Sequence, residues 1–253
     1  MILLRNLPIA LPIAAVTALC IGLLIETHSS GWIVHTPPAA AKDGMTWITV
    51  FLVGWMLMTG AMTMPSSLPF LQTVERVAGS MASTAAATGI LLVWLMAGML
   101  ISLVLWLSGG IMKAMPPGGA ERLAATILLF AAVYQISPLA SACQRFCASP
   151  FAILARWWRG EGRPWMNAFG SGTAYGVSCL GCCVPMMFVM LLVGMNDLRW
   201  MFGLGAVMVA QKHPVWGWLV APPAALLLAA SGIAIQAGWW SPELASLRSL
   251  CGA

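Results

Sequence analysis

Six long apolar runs constrain the fold of this chain more strongly than any other feature of its sequence. A helix rises 1.5 Å per residue, so about 20 apolar residues are needed to cross roughly 30 Å of hydrocarbon. The runs meet or approach that length and cover Leu7–Ile25, Trp47–Met64, Ala85–Leu107, Leu123–Leu139, Thr173–Met195 and Val215–Ala237. The pattern predicts an all-α fold: a polytopic transmembrane helical bundle that forms a single domain over residues 1–253.

A seventh apolar run, Trp200–Gln211, is shorter than the others. As a helix it would measure about 18 Å, less than the hydrocarbon thickness. Three interpretations are open: a short tilted span, a half-helix, or a re-entrant segment. The sequence therefore predicts six or seven spans, and we favour seven.

The low charge content excludes a soluble globular protein. Only 8% of the residues are charged, 60% are hydrophobic, and the mean hydropathy is +0.90. Soluble domains contain about 25% charged residues. The formal net charge of +5 comes from scattered arginines, and no basic run with interleaved aromatic residues indicates nucleic-acid binding. We predict that the helices are surrounded by membrane lipid.

The arginines predict the orientation of the bundle. Residues 140–171 carry one acid, Glu161, against four arginines: Arg145, Arg156, Arg159 and Arg163. Because such an excess marks cytoplasmic loops, counting back through four spans puts the N-terminus inside as well. We expect a multi-pass protein of the cytoplasmic membrane. The first run lacks a small-x-small cleavage site and is long for a signal peptide, so we interpret it as a span.

Three cysteines lie close together inside the fifth run, in the stretch SCLGCCVPMMF (178–188). Cys179 is three residues before Cys182 and four before Cys183, so on a helix all three thiols share one face. Thiolate sulfur is a soft ligand that prefers Cu(I), Zn(II) or an iron–sulfur cluster. The spacing predicts a soft-metal site on this face.

Pro185 strengthens that prediction. It cannot donate a hydrogen bond to the carbonyl of Gly181, so the helix loosens beside the thiols. The alternative is that free cysteines act as small hydrophobic packing residues. We adopt that alternative for the two isolated cysteines, Cys20 and Cys251.

Two further cysteines, Cys143 and Cys147, are four residues apart near the end of the fourth run. If that helix continues past Leu139, both thiols reach the same leaflet as the other three, and five thiols converge. Pro138 and Pro150 bracket the segment, however. The alternative is a surface helix away from the site, whose thiols are open to oxidation.

Methionines favour copper among the soft metals, because thioethers bind Cu(I) and scarcely bind Zn(II). Five methionines lie near Pro65 or directly after the cysteines: Met58, Met62, Met64, Met186 and Met187. Methionine is also a flexible packing residue, which is the alternative here. We predict Cu(I) as the bound metal, with zinc or an iron–sulfur cluster less favoured.

No catalytic arrangement is recognisable in the sequence. It contains no glycine-rich phosphate loop, no Ser/His/Asp pattern and no pair of buried carboxylates, so hydrolysis and phosphoryl transfer have no support. His28 and His35 lie in the predicted outer loop at a spacing that matches no standard metal site. Ionisable residues are almost absent from the span centres, which disfavours a proton-coupled carrier.

Three stretches resemble a bacterial family of predicted metal-binding integral membrane proteins with a Cys-Leu-Gly-Cys-Cys motif. They are WMLMTGAMTMPS (55–66), YQISPLASACQRFCASP (134–150) and GVSCLGCCVPMMFVMLLVGMNDLRWM (176–201), within a family-like core of residues 50–212. The resemblance implies a bacterial inner-membrane protein and a set of characteristic positions: Cys143, Cys147, Cys179, Cys182, Cys183, Met62, Met64 and Pro65. The chain departs from the family's tryptophan, glutamate and lysine at Val184, Gln211 and Ala140.

Three functions are compatible with these observations. The first is binding of a soft metal, Cu(I), for uptake, storage or delivery to a membrane metalloenzyme, with a membrane-protein partner or a metal donor or acceptor. The second is a structural or accessory subunit of a larger membrane complex. The third is a membrane thiol–disulfide oxidoreductase, in which Cys143 or Cys147 exchanges with Cys179 or Cys182.

Overall fold

Eight helices and no strand make up the described part of the chain. The computed structural model describes residues 7–29, 44–113, 116, 118–158, 163–193, 198–213 and 217–239. The helices are α1 (Leu7–Ser29), α2 (Gly44–Lys113), α3 (Gly119–Gln135), α4 (Pro138–Ala148), α5 (Pro150–Trp157), α6 (Pro164–Val193), α7 (Leu198–Gln211) and α8 (Gly217–Gln236). The all-α prediction is confirmed for these residues.

Several of these helices are long and apolar enough to cross a membrane. Within the described residues, α1, α2, α6 and α8 meet that test, and α3 with α4 would make a fifth, bent crossing. α6 is the most buried of the four and α1 the least, so α6 is the central helix of the bundle. α7 has 14 residues, or about 21 Å, and is too short for a full crossing.

α2 is a helical hairpin. Gly79 has φ 85° and ψ 176°, a conformation that only glycine adopts readily, and it divides the helix into arms at residues 44–78 and 80–113. The arms pack against each other, and the indole N–H of Trp55 donates to the carbonyl of Trp94 at 2.8 Å. The predicted second and third spans lie on these two arms.

The first arm extends well beyond the predicted span Trp47–Met64. Pro65 and Pro69 both lie inside the helix, although each removes a backbone hydrogen bond. Side chains after Pro65 stay buried, including Phe70 and Leu71. Because packing continues past the prolines, it offsets the lost bonds, and the sequence prediction ended this helix too early.

Small residues let the backbone of α6 touch the second arm of α2. A Cβ at Gly172 would lie 2.2 Å from the carbonyl oxygen of Ala86, and a Cβ at Gly89 would lie 2.7 Å from that of Phe169. Membrane helices associate through such close contacts of small residues. This contact sets the rotation of α6 and therefore the direction of its cysteine face.

The fourth predicted span breaks near its C-terminal end. α3 ends at Gln135, and α4 begins at Pro138 with a bend of 61° between them. Ser137, before the proline, is extended (φ −69°, ψ 153°) as steric contact with proline requires, and its hydroxyl accepts from the N–H of Ala140 at 3.2 Å. The chain therefore stays helical past Leu139, as one interpretation expected, but it changes direction at Pro138.

α6 begins at Pro164, nine residues before the predicted start at Thr173. Its first half is rich in glycine, serine and other small residues. Their low hydropathy is why the predicted span begins later than the helix. Tertiary packing overrides the weak helix propensity of these residues. Cys179 consequently lies at the middle of α6.

Candidate metal centre

The three cysteines of α6 lie on one buried face, as their spacing predicts. The exposed fractions of Cys179, Cys182 and Cys183 are 0%, 3% and 3%. The Sγ atoms of Cys182 and Cys183 are 3.6 Å apart, and the Cys182 thiol donates to the carbonyl oxygen of Cys179 at 3.2 Å. All three are free thiols in the structure.

Cys147 of α4 meets this face. Its Sγ lies 3.9 Å from the Sγ of Cys182, and its side chain is 6% exposed. The bend after α3 carries α4 onto α6, so the structure does not follow the alternative of a surface helix away from the site. We refer to Cys147, Cys179, Cys182 and Cys183 as the cysteine cluster.

Cys143 packs beside the cluster. A Cβ at Gly181 would lie 2.7 Å from the Sγ of Cys143, and Gly181 projects about 100° around the helix from Cys182. The Cys143 sulfur thus fills the notch that Gly181 leaves on α6 and is half-buried there. Its role as a metal ligand stays a prediction.

The cluster is a group of packed thiols. Within the described ranges, no group of three or more histidine, cysteine, aspartate or glutamate side chains is already positioned to hold a metal ion. The sulfur atoms instead contact one another at 3.6 and 3.9 Å. A metal ion bound here would require the sulfurs to turn toward a common centre.

Tyr134 satisfies the carbonyl that Pro185 leaves free. Proline has no N–H for the carbonyl four residues earlier, and that carbonyl belongs to Gly181. The Tyr134 hydroxyl, at the end of α3, donates to the Gly181 oxygen at 3.0 Å. The proline therefore creates an acceptor at the level of the cysteines, and a second helix is tied to α6 through it.

We expect Tyr134→Phe to lower the stability of the bundle by about 1–2 kcal/mol, because the Gly181 oxygen loses its donor. For a chain of this size the thermal midpoint in detergent should fall by roughly 2–8 °C. In a Pro185→Ala background, the restored N–H replaces the tyrosine as donor, so the same change should have little effect. Equal losses in both backgrounds would contradict this account of the contact.

Lys212 reaches the cluster from the end of α7. Its Nζ donates to the Sγ of Cys179 at 3.1 Å and to the Oγ of Ser66 on α2 at 2.9 Å. The adjacent residue Gln211 is 4% exposed. Because Cys179 lies at the middle of α6, α7 ends level with the middle of that helix.

The predicted methionines are all in the same core. Met58, Met64, Met186 and Met187 are 2–5% exposed, and Met62 is partly buried. On α6, Met186 and Met187 follow Cys182 and Cys183 by four residues, so they occupy the next turn of the cysteine face. A Cβ at Gly205 of α7 would lie 2.9 Å from the Met62 methyl carbon, so Met62 packs against α7.

A family comparison identifies the group to which the chain belongs. A protein-family model described as PpoB2, copper chaperone, matches residues 52–235, well over half of the sequence. The chain belongs to this copper chaperone family. A search of curated proteins and a search of solved structures found no match.

Membership of the copper chaperone family confirms the copper-related part of the sequence prediction. The matched region contains the whole cysteine cluster, Tyr134 and Lys212. Cys20 lies outside it on α1, where its sulfur packs against Gly60 of α2. The side chains of His28 and His35 and the whole of Cys251 lie outside the described residues.

Sequence reasoning missed three residues at or beside the cysteine cluster: Lys212, Ser66 and Tyr134. The available signal was Lys212, since a lysine that ends an apolar run marks a functional position when it lies inside the membrane. In the sequence alone, Lys212 and His213 end the run as polar residues do at a membrane surface. Ser66 and Tyr134 have no distinguishing signal, since their roles depend on which helices meet.

Proposed function

We propose that this member of the copper chaperone family is an integral membrane protein that binds Cu(I) and delivers it to a membrane metalloenzyme. The ligands are drawn from Cys147, Cys179, Cys182 and Cys183. The observation that carries the proposal is the meeting of these four buried side chains, from α4 and α6. Copper is the cargo of the protein, and no reaction is assigned to it.

The donor chemistry favours Cu(I) over harder metals. Thiolate and thioether sulfurs are soft ligands, and Cu(I) accepts both whereas Zn(II) scarcely accepts a thioether. Met186 and Met187 add thioethers to the same face at 2% and 4% exposure. Among the described residues, the buried polar side chains include no carboxylate, the ligand that harder cations require.

The sulfur separations suit a single ion. With metal–sulfur bonds of about 2.3 Å, trigonal and tetrahedral ligands lie about 4.0 and 3.8 Å apart. The Cys147–Cys182 and Cys182–Cys183 separations are 3.9 and 3.6 Å. Small side-chain rotations would therefore gather these sulfurs around one ion, and the backbone would keep its position.

Burial suits the carrying of Cu(I). Thiol oxidation follows exposure and access, and the four cluster side chains are at most 6% exposed. The same burial excludes water and oxygen ligands from a bound ion. Cys147, on a different helix from the other three, is the ligand that can separate from the rest when copper is passed on.

We place the protein in the bacterial inner membrane with its N-terminus in the cytoplasm. The apolar helices and the arginines of residues 140–171 support this orientation. Counting the two arms of α2 separately, and α3 with α4 as one crossing, gives six crossings. α7 then enters the bundle without crossing it.

A second candidate function is thiol–disulfide exchange, favoured by one specific contact. Cys147 and Cys182 come from different helices and their sulfurs are 3.9 Å apart. A modest movement would bring them to the bond length of a disulfide, about 2.0 Å. This function requires a change in free thiol count with added oxidant and requires no bound metal.

Copper K-edge absorption spectroscopy tests the proposed function. We expect the chain, purified anaerobically in mild detergent and loaded with Cu(I), to show a Cu(I) edge and a shell of two or three sulfur atoms. A shell of nitrogen and oxygen, or copper that dialyses away against a weak chelator, would exclude the cluster as the cargo site. Loss of two free thiols under mild oxidation, with no retained copper, would favour the second candidate.

A further inference from the structure

We propose that Lys212 is the fixed counter-ion of the copper-loaded site and the residue that positions Cys179. It strengthens Cu(I) binding without contacting the ion. The inference rests on the proposed function, because it assumes Cu(I) at the cysteine cluster. It goes further by assigning a role to a residue on a helix that contributes no ligand.

The side chain of Lys212 is held in one place by two acceptors. Its Nζ donates to Cys179 Sγ at 3.1 Å and to Ser66 Oγ at 2.9 Å. Ser66 is itself oriented, since its hydroxyl donates to the carbonyl of Thr63 at 2.9 Å. The ammonium is thus fixed between α2 and α6 and aimed at one sulfur of the cluster.

A residue of α6, Tyr175, also stabilises the position of Ser66. Tyr175, one turn before Cys179, donates through its hydroxyl to the carbonyl of Ser66 at 3.4 Å and stacks on Phe70, with ring centroids 4.5 Å apart. Contacts from α2 and α6 therefore hold the acceptors, and α7 supplies the charge. A loose surface lysine would have neither constraint.

Charge balance explains why a lysine is useful here. Cu(I) held by two thiolates carries one negative charge in excess, and a charge buried in an apolar interior is costly unless it is paired. Among the described residues, none of the fully buried side chains is an arginine, lysine, aspartate or glutamate. The half-buried Lys212, already in contact with Cys179, makes the loaded site neutral.

A lysine that competed with copper would change the Cu(I) affinity in the opposite direction. If Lys212 competed with copper for the Cys179 sulfur, its removal would tighten binding. A counter-ion that also orients a ligand should weaken binding when it is removed, and groups that support metal ligands are commonly worth about 10- to 100-fold in affinity. The direction of the change therefore decides between the two roles.

The test is a Cu(I) competition titration of the full-length chain in detergent, with a chromophoric Cu(I) chelator as competitor. We expect Lys212→Met to weaken binding by about 10- to 100-fold, and Lys212→Arg, which keeps the charge, to recover most of the loss. Ser66→Ala, which removes only the anchor, should give a smaller loss. Arg145→Met, which removes an exposed cation from α4, is the matched control and should leave the affinity unchanged.

Each outcome has a clear meaning. Unchanged or tighter binding by Lys212→Met, at near-stoichiometric copper in the parent chain, overturns the inference and leaves the proposed function intact. Equal losses in Lys212→Met and Lys212→Arg also overturn it, since charge would then be irrelevant. No copper in the parent chain removes the proposed function itself. Thermal midpoints of all variants show whether a loss reflects unfolding.

Discussion

Replacing Cys182 and Cys183 together by alanine is expected to lower the affinity for Cu(I) by roughly a thousandfold or more. The binding free energy of a four-ligand structural zinc site is typically about 10–16 kcal/mol. Divided equally among the four ligands, this gives about 3 kcal/mol for each. Cys182 is the sulfur in contact with both Cys147 and Cys183. Its loss, with that of Cys183, therefore removes half of the sulfurs of the cluster and leaves Cys147 and Cys179 as the remaining pair.

Elemental analysis after desalting against a chelator measures this effect. The parent chain should retain about one copper ion, and the double variant should retain none above background. Cys20→Ala is the matched control, because Cys20 lies on α1, packs against Gly60 of α2 and is not a member of the cysteine cluster. Full copper retention by a double variant of parental stability would exclude the cluster as the binding site.

The second large effect, a loss of stability, is expected on substitution of Gly172, which has no side chain. Gly172→Ala should destabilise the bundle by about 3 kcal/mol, because the added Cβ would lie 2.2 Å from the backbone oxygen of Ala86 and two helices must move apart. The thermal midpoint should fall by roughly 6–12 °C. Copper binding should weaken too, since α6 carries three of the four clustered thiols.

Gly170→Ala provides the control, because a Cβ at Gly170 would meet nothing within 4 Å. It should leave the thermal midpoint unchanged or raise it slightly, since alanine favours the helix over glycine. Similar losses from both substitutions would mean that helix propensity, and not the contact with Ala86, governs the effect.

Local rules predicted the helices and the cysteine face well. The i, i+3 and i, i+4 spacing of Cys179, Cys182 and Cys183 is a property of any helix, so their shared face followed without knowledge of the fold. Proline geometry likewise identified Gly181 as the carbonyl without a donor. Both statements concern residues within one turn of each other.

The errors arose where packing outweighed local preference. Pro65 did not end its helix, because the buried side chains beyond it continue the contact with the rest of the bundle. The small residues before Thr173 proved helical for the same reason. In the opposite direction, Pro138 broke a run that looked continuous in hydropathy, and the bend it introduced brought Cys147 to Cys182.

The sequence by itself determined that this chain is all-helical and apolar and that α6 presents three thiols on one face, because these features depend on residue type and short spacing. Only the tertiary structure decided that Cys147 meets those thiols, that Tyr134 donates to Gly181, and that Lys212 lies against Cys179. These contacts join residues 35, 47 and 33 positions apart. They depend on the bend before α4, the glycine contact of α6 with α2, and the short reach of α7, and no local pattern encodes such distances.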